Sequence, residues 1–478
     1  MDSKYLILII VFATIEISVV GNRHSERRRW KYEKAVKTPF VNVCNIEDRS
    51  ARIHCYCDSI EYKMAMKADC WIFNGDITED DPFWTNFLSQ PKLEILGFSV
   101  RADSKVTYIP AKIIIRLENL QYFRIQYANI SHIPPFVFTN SSTLREISLP
   151  KNKITKLERK SFSNMILLVN VSLVQNRISE LERDVFYMLP NLRRLTLSDN
   201  NITILHEGCF KHLNNLVKLD LDSNLLTVVT REDFRGLSNL ITLNMRNNKL
   251  SMIGDFAFSK LWALQELSLD ENEIQFISQK GFAGLARLRK LSLTDNNLRT
   301  LDAGVLDNFE KLTVLDLQNN NLDTLKQETM QSVLGSMKSN NALISLEGNK
   351  LTCDCSLRWI FGLNNETRSK RLKAALESVT CIMDDKSNMA IGEKKNIPKN
   401  QTTNDYENDE FDDEVDTVEY KNLLRELSPE MLRCSNKISH EASDSPPTDN
   451  EVSNHYSTSS YVAVATTLYM SISVSILF

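Results

Sequence analysis

The 478-residue sequence predicts an α/β solenoid, a curved stack of short units whose strands form one parallel, concave β-sheet with disulfide-bonded N- and C-terminal caps. Three observations carry that prediction. Leucine recurs with a fixed 24-residue phase through the middle of the chain, asparagine follows each leucine cluster at a constant offset, and cysteines gather in two groups of four, one on each side of the repeats.

With Leu120 at position one, unit starts fall on Leu144, Leu168, Leu192, Leu216, Leu240, Leu264, Leu288 and Leu312. Within each unit the pattern is LxxLxLxxNxL, as in LRRLTLSDNNI from Leu192 and LQELSLDENEI from Leu264. This is the leucine-rich repeat, so the expected shape is a leucine-rich-repeat horseshoe. Leucines at positions four and six alternate with polar residues, the period-two pattern of a strand with one buried face. One unit cannot close a core, but stacked units bury a continuous leucine column. LEILGF from Leu93 is an imperfect early unit and ISLEGNKL from Ile344 a late one, giving about eleven units over 93–352.

Position nine is Asn152, Asn176, Asn200, Asn224, Asn248, Asn272, Asn296 and Asn320, with Asn349 in the last unit. Where the chain leaves a strand its backbone groups lose their partners, and a buried amide can both donate and accept to satisfy them. The first regular unit has Ala128 there, so its turn is expected to be held less well. A second column, Phe138, Phe162, Phe186, Phe210, Phe234, Phe258 and Phe282, then Leu306 and Met330, reads as stacked core on the opposite side. Cys209 reads as a small buried thiol.

The ends of a solenoid expose its core and must be covered. Cys44, Cys55, Cys57 and Cys70 precede the repeats, while Cys353, Cys355, Cys381 and Cys434 follow them. Two four-thiol zinc sites compete with disulfides, but the central spacing in both groups is CxC and an exported chain meets oxidising conditions, so disulfides are the expectation and no metal or cofactor is assigned. Four cysteines allow three pairings in each group.

Residues 1–21 have the layout of a signal peptide, followed by a basic linker over 22–43 that includes Arg27, Arg28 and Arg29. The cysteine caps occupy 44–92 and 353–434, the second interrupted by an acidic insert over 384–422. This insert is expected to be a solvated loop, with a docking strip for a basic partner or sulfation of Tyr406 as sharper readings. A polar linker over 435–460 leads to an apolar tail over 461–478, which carries several hydroxyls and no basic flank. That arrangement signals a glycolipid (GPI) anchor at the outer leaflet of the plasma membrane, with Ser443, Ser453 and Asn454 as attachment candidates, against a true transmembrane helix. Glycosylation sequons begin at Asn129, Asn140, Asn170, Asn201, Asn365 and Asn400, and Asn170 falls at position three of a strand.

The net charge of −4 gives no argument for nucleic acid. The scattered histidines accompany no HExxH, nucleophile motif or glycine-rich phosphate loop, so no catalytic residue is assigned. The solvent-facing positions of the strands are instead rich in both charges: Arg124, Tyr127, Lys151, Arg193, Arg194, Lys218, Asp220, Asp222, Arg246, Asp270, Glu271, Arg289, Lys290 and Asp316, with Asp199 and Asp295 beside them. Interleaved charge on one rigid face is suited to pairing with a protein partner or a second copy.

VCNIEDRSARIHCYCD followed by ADCWIFNG, IQYANI in the first regular unit and CDCSLRWIFGLNNET at the second cap resemble the insect connectin family, lipid-anchored adhesion molecules of the leucine-rich-repeat class. The resemblance runs from about Val43 to Cys381 and is strongest in the caps. It implies disulfides Cys44–Cys57, Cys55–Cys70, Cys353–Cys381 and Cys355–Cys434. It also implies homophilic adhesion between apposed cells, with a role in nerve–muscle recognition. The residues by themselves reach a tethered binding surface and leave open a GPI-anchored co-receptor for a different protein ligand.

Overall fold

The computed structural model describes residues 40–383, apart from 49 and 74, and 421–434. The signal peptide, residues 22–39 of the basic linker, 384–420 of the acidic insert, Asn400, the polar linker with Ser443, Ser453 and Asn454, and the apolar tail lie outside the described residues. Among the described residues no helix is long and apolar enough to cross a membrane.

One thirteen-stranded sheet runs through the described chain in sequence order. Ile53–Cys57 and Lys67–Ile72 pair antiparallel in the N-terminal cap, and Lys67–Ile72 then pairs in parallel with Ile95–Val100. Ten further parallel strands follow, from Tyr122–Gln126 and Glu146–Ser148 to Val314–Asp316 and Leu343–Ser345. Registers are locked by the repeat: Asn170 faces Arg194, Arg194 faces Lys218 and Lys218 faces Thr242. The last step, Val314 to Leu343, is longer because a helix over Gln327–Leu334 replaces the turns that carry other units back.

The leucine phase explains the core. Leu195, Leu197 and Ile202, at positions four, six and eleven of one unit, are fully buried, as are Leu219, Leu221 and Leu226 in the next. Each such side chain contributes roughly 1.5–3 kcal/mol of burial. The phenylalanine column is equally buried and stacked, with ring centroids 5.2 Å apart for Phe138–Phe162 and 5.4 Å for Phe162–Phe186; Phe309 continues it at 5.5 Å from Phe282.

Position nine forms a ladder of amides. Asn200 donates through Nδ2 to the carbonyls of Leu197 and Leu173, both at 3.0 Å, and accepts at Oδ1 from the Ile178 N–H at 3.1 Å. Each asparagine thus ties its own unit to the one before. In the first regular unit Asn152 of the next unit reaches back, its Oδ1 accepting the Ala128 N–H at 2.8 Å and its Nδ2 donating to the Ile125 carbonyl at 3.0 Å. The Ile125 carbonyl thus receives one amide bond where that of Leu173 receives two, from Asn176 and Asn200, so the turn at Ala128 is held by fewer bonds.

Both ends are closed by disulfides, Cys44–Cys57 and Cys55–Cys70 in the first cap and Cys353–Cys381 and Cys355–Cys434 in the second. The C-terminal cap lays two helices, Arg358–Glu366 and Lys370–Glu377, over the last units. Trp359 Nε1 donates to the Leu325 carbonyl at 2.8 Å and Ser369 Oγ to the Ala342 carbonyl at 2.6 Å, so backbone groups at the end of the array find partners in the cap. Cys209 is buried and unpaired, and burial pushes its thiol well above the usual range.

Candidate binding face

Regular strands in the array are three residues long, spanning positions three to five of each unit. Arg124, Arg194, Lys218, Asp220, Lys290 and Asp316 therefore sit on strands, while Arg193 and Arg289 lie just before them. Asp222, Arg246 and Asp270, at position seven, follow the strand on its solvent side; Asp270 takes the Ser268 hydroxyl at 2.6 Å and the Thr294 N–H at 3.0 Å.

Tyr127, Lys151 and Glu271 are placed differently from the strand positions predicted for them. At position eight the chain has already left the sheet, and every regular unit adopts the left-handed region there: Tyr127, Lys151, Gln175, Asp199, Ser223, Asn247, Glu271, Asp295 and Asn319 have φ between 51 and 61°. A strand that must break at the amide of position nine turns by this route, although the conformation is uncommon for residues other than glycine. The side chains at these turns form the rim of the sheet along the C-terminal ends of its strands.

Charges on the face are mostly left without ionic partners. Arg246 pairs with Glu271, but no ion pair among the described residues includes Arg193, Arg194, Lys218, Arg289, Lys290, Asp199, Asp220, Asp222, Asp270, Asp295 or Asp316. Asp220 accepts hydrogen bonds from neutral groups, Asn244 Nδ2 at 3.0 Å and the Asp222 N–H at 3.3 Å. Burial, with the charges of Asp220 and Asp199 adding to it, raises the Asp222 carboxyl above its ordinary value.

Asn170 lies on the sheet face, its Nδ2 donating to Glu146 Oε2 at 3.0 Å while its Oδ1 is buried without a partner. Asn140, Asn201 and Asn365 are exposed and Asn129 half-buried. At the start of the rim, Arg101, Tyr127, Lys151 and Lys153 surround a cavity of about 390 Å³ that also touches the buried hydroxyl of Ser104. Lys151 Nζ lies 5.5 Å from the Tyr127 ring centre and 3.3 Å from its hydroxyl. Sequence reasoning missed Arg101, Lys153, Arg177 and Glu347 on this rim, and the exposed apolar run Ile204, Val228, Met252 and Phe276 beside it. The 24-residue phase, applied to positions eight, ten and thirteen, exposes these rows.

Comparison with known families agrees with this geometry. Residues 98–192 and 131–260 match a family described as BspA type leucine rich repeat region, and 238–298, 262–322 and 286–333 match the leucine rich repeat. The chain is a leucine-rich-repeat solenoid. Connectin of Drosophila melanogaster is 37% identical over 93 residues, which cover 19% of this solenoid chain and 14% of that protein. This chain thus aligns with only a small part of the curated relative's length. Among solved structures, the Drosophila Toll–Spatzle complex has a chain 22% identical, covering 63% of this chain and 43% of that one with a TM-score of 0.49. A leucine-rich-repeat protein of Leptospira interrogans is 25% identical, covering 58% and 66%, with a TM-score of 0.46.

Proposed function

We propose that this solenoid is a cell-surface adhesion and recognition protein that binds proteins rather than transforming substrates, and that its partner is a second copy on an apposed cell. The observation that carries the reading is the rigid, disulfide-capped sheet whose face and rim hold charges of both signs without ionic partners. Such groups cost little in water and are available to a complementary surface, where they steer encounter and select the partner. The local identity to connectin supports the homophilic form and a place in nerve–muscle recognition. An outer-leaflet glycolipid anchor at Ser443, Ser453 or Asn454 would present the face away from the membrane, and glycans on the sequons would narrow the accessible surface. A heterologous protein ligand bound by a GPI-anchored co-receptor is the alternative.

Non-adhesive cells expressing the full chain test this directly. They are expected to cluster with one another and to ignore untransfected cells. If they stay dispersed while displaying the protein at their surface, the homophilic reading is wrong and the co-receptor takes its place. Release of the protein by a phospholipase specific for glycolipid anchors is the expected result for the tether, and retention would indicate a transmembrane tail.

A further inference from the structure

The rim of the sheet changes sign along its length. In the first four repeats its exposed charges include Arg101, Lys151, Lys153 and Arg177. From the fifth repeat onward acidic groups outnumber basic ones: Asp199, Asp222, Asp270, Asp295 and Glu347 have no ionic partner among the described residues, while Arg246 and Lys249 pair with Glu271 and Glu273 and leave Lys350 as the remaining base. The change happens next to the middle of the eleven repeat strands, the sixth being Lys218–Asp220. Beside that strand stand Leu225, the apolar member of an otherwise polar or charged column at position ten, and Val228, exposed by 40 and 55%.

From this pattern the geometry points to a specific mode of self-recognition, resting on the homophilic reading above: two copies meet rim to rim, antiparallel, about a two-fold axis through the sixth repeat. A closed pair of identical chains uses the same patch on both partners, so a residue near the axis meets its own counterpart and distant residues are exchanged. Rotation about the sixth repeat sets the first unit against the eleventh, the third against the ninth and the fourth against the eighth. Arg101 then faces Glu347 of the second copy, Lys151 faces Asp295, and Arg177 faces the eighth unit, where Asp270 has no ionic partner and Glu271 pairs with Arg246 of its own chain, each match occurring twice. Leu225 and Val228 meet across the axis, giving an apolar centre inside a charged periphery, the usual anatomy of a specific interface. Curvature does not obstruct the contact, because an axis normal to the sheet leaves both horseshoes curving the same way. With strands ~4.8 Å apart the strip is roughly 50 Å long and, at about 15 Å wide, buries on the order of 700 Å² per copy, close to what specific complexes use. The antiparallel sense also places the two C-terminal caps at opposite ends, as chains held on facing cells require.

The test uses cells displaying the full chain in two colours, treated to remove N-linked glycans, since Asn129 and Asn201 lie two positions past the rim turns. One variant reverses the basic end (Arg101→Glu with Lys151→Glu); the other reverses the acidic end (Asp295→Lys with Glu347→Lys). Each variant alone is expected to lose clustering by about tenfold, from like charges brought together at both ends. Mixed together, the two variants regain it, because every contact in the mixed pair is again between opposite charges. Surface staining and intact disulfides establish that both variants are folded. If either variant clusters alone like the unmodified chain, or if the mixture stays dispersed, the rim pairing is wrong while homophilic adhesion stands. If the unmodified chain itself never clusters, the homophilic reading fails first and this inference with it.

Discussion

Asp184 and Asp222 are one residue type in two regions of the same solenoid, and their surroundings are opposite. On the flank, Asp184 is met by Arg159 of the preceding repeat at 3.0 Å and by Lys211 and His212 of the following one at 2.8 and 3.2 Å. Those hydrogen bonds, led by Lys211, hold its carboxyl down to about 2 against the opposing effect of burial. Along this flank charges are joined between repeats again and again: Arg183 to Glu207, Arg235 to the same Glu207, Lys156 to Glu182. On the sheet side Asp222 has a serine hydroxyl at 3.1 Å, and burial, with its acidic neighbours, pushes it the other way. Flank charges join neighbouring repeats; most of those on the face have no ionic partner among the described residues.

The largest expected effect breaks what both regions share. Asn224 donates to the carbonyls of Leu197, Leu221 and Asp222 at 3.1, 3.0 and 3.1 Å and accepts from the Ile202 N–H at 3.0 Å. Asn224→Leu strands these groups in the core and should cost about 3 kcal/mol or more, read as a lowered thermal midpoint. Because the turn bearing Asp222 hangs on this amide, amide exchange should quicken first at the rim, at Asp222 and Ser223. Equal quickening at Asp184 would show that flank and rim do not separate.

The flank comes next. Asp184→Asn removes two cationic contacts, from Arg159 and Lys211, and weakens a hydrogen bond with His212 at a mostly buried carboxylate, and should destabilise by roughly 1–2 kcal/mol, discounted for solvent screening. The folded pKa lies below the ordinary 3.8, so its stabilisation is complete above about pH 4 and fades as the pH falls toward 2. Unfolding midpoints of the variant and the parent should therefore converge on acidification between these values. A gap that persists at pH 2 would mean the loss comes from packing rather than charge.

Much of this architecture is legible in the sequence because the physics repeats. A leucine at positions four and six and an asparagine at nine fix strand, core and turn together, and one phase error would turn the buried set to solvent. The candidate face is legible only where it lies on strands, as at Arg194, Lys218 and Asp220. The rim is harder to see. Position eight carries tyrosine, lysine, glutamine, aspartate, serine, asparagine or glutamate, and nothing in that variety announces a shared left-handed turn; the conformation comes from the amide one residue later. Asp184 is harder still, since its three partners lie 25, 27 and 28 residues away in two other units. The cap pairings are not legible in spacing, which leaves three arrangements in each group; the family resemblance of the caps implies the four that the structure has.

The smallest effect should carry the opposite sign, and it is the sharpest test of the contrast. In Asp222 the folded pKa is raised, so the ionised carboxylate opposes folding at neutral pH and the opposition disappears as it takes up a proton in acid. Asp222→Asn keeps the shape and removes the charge, so it should leave stability unchanged or raise it by up to about 0.5 kcal/mol. A thermal melt at neutral pH is enough to see the sign. A clear loss there would mean that Asp222 is held by cationic contacts as Asp184 is, and the rim could no longer be described as a row of carboxylates kept free for another molecule. With stability preserved, any fall in cell clustering by the same variant belongs to recognition and not to folding.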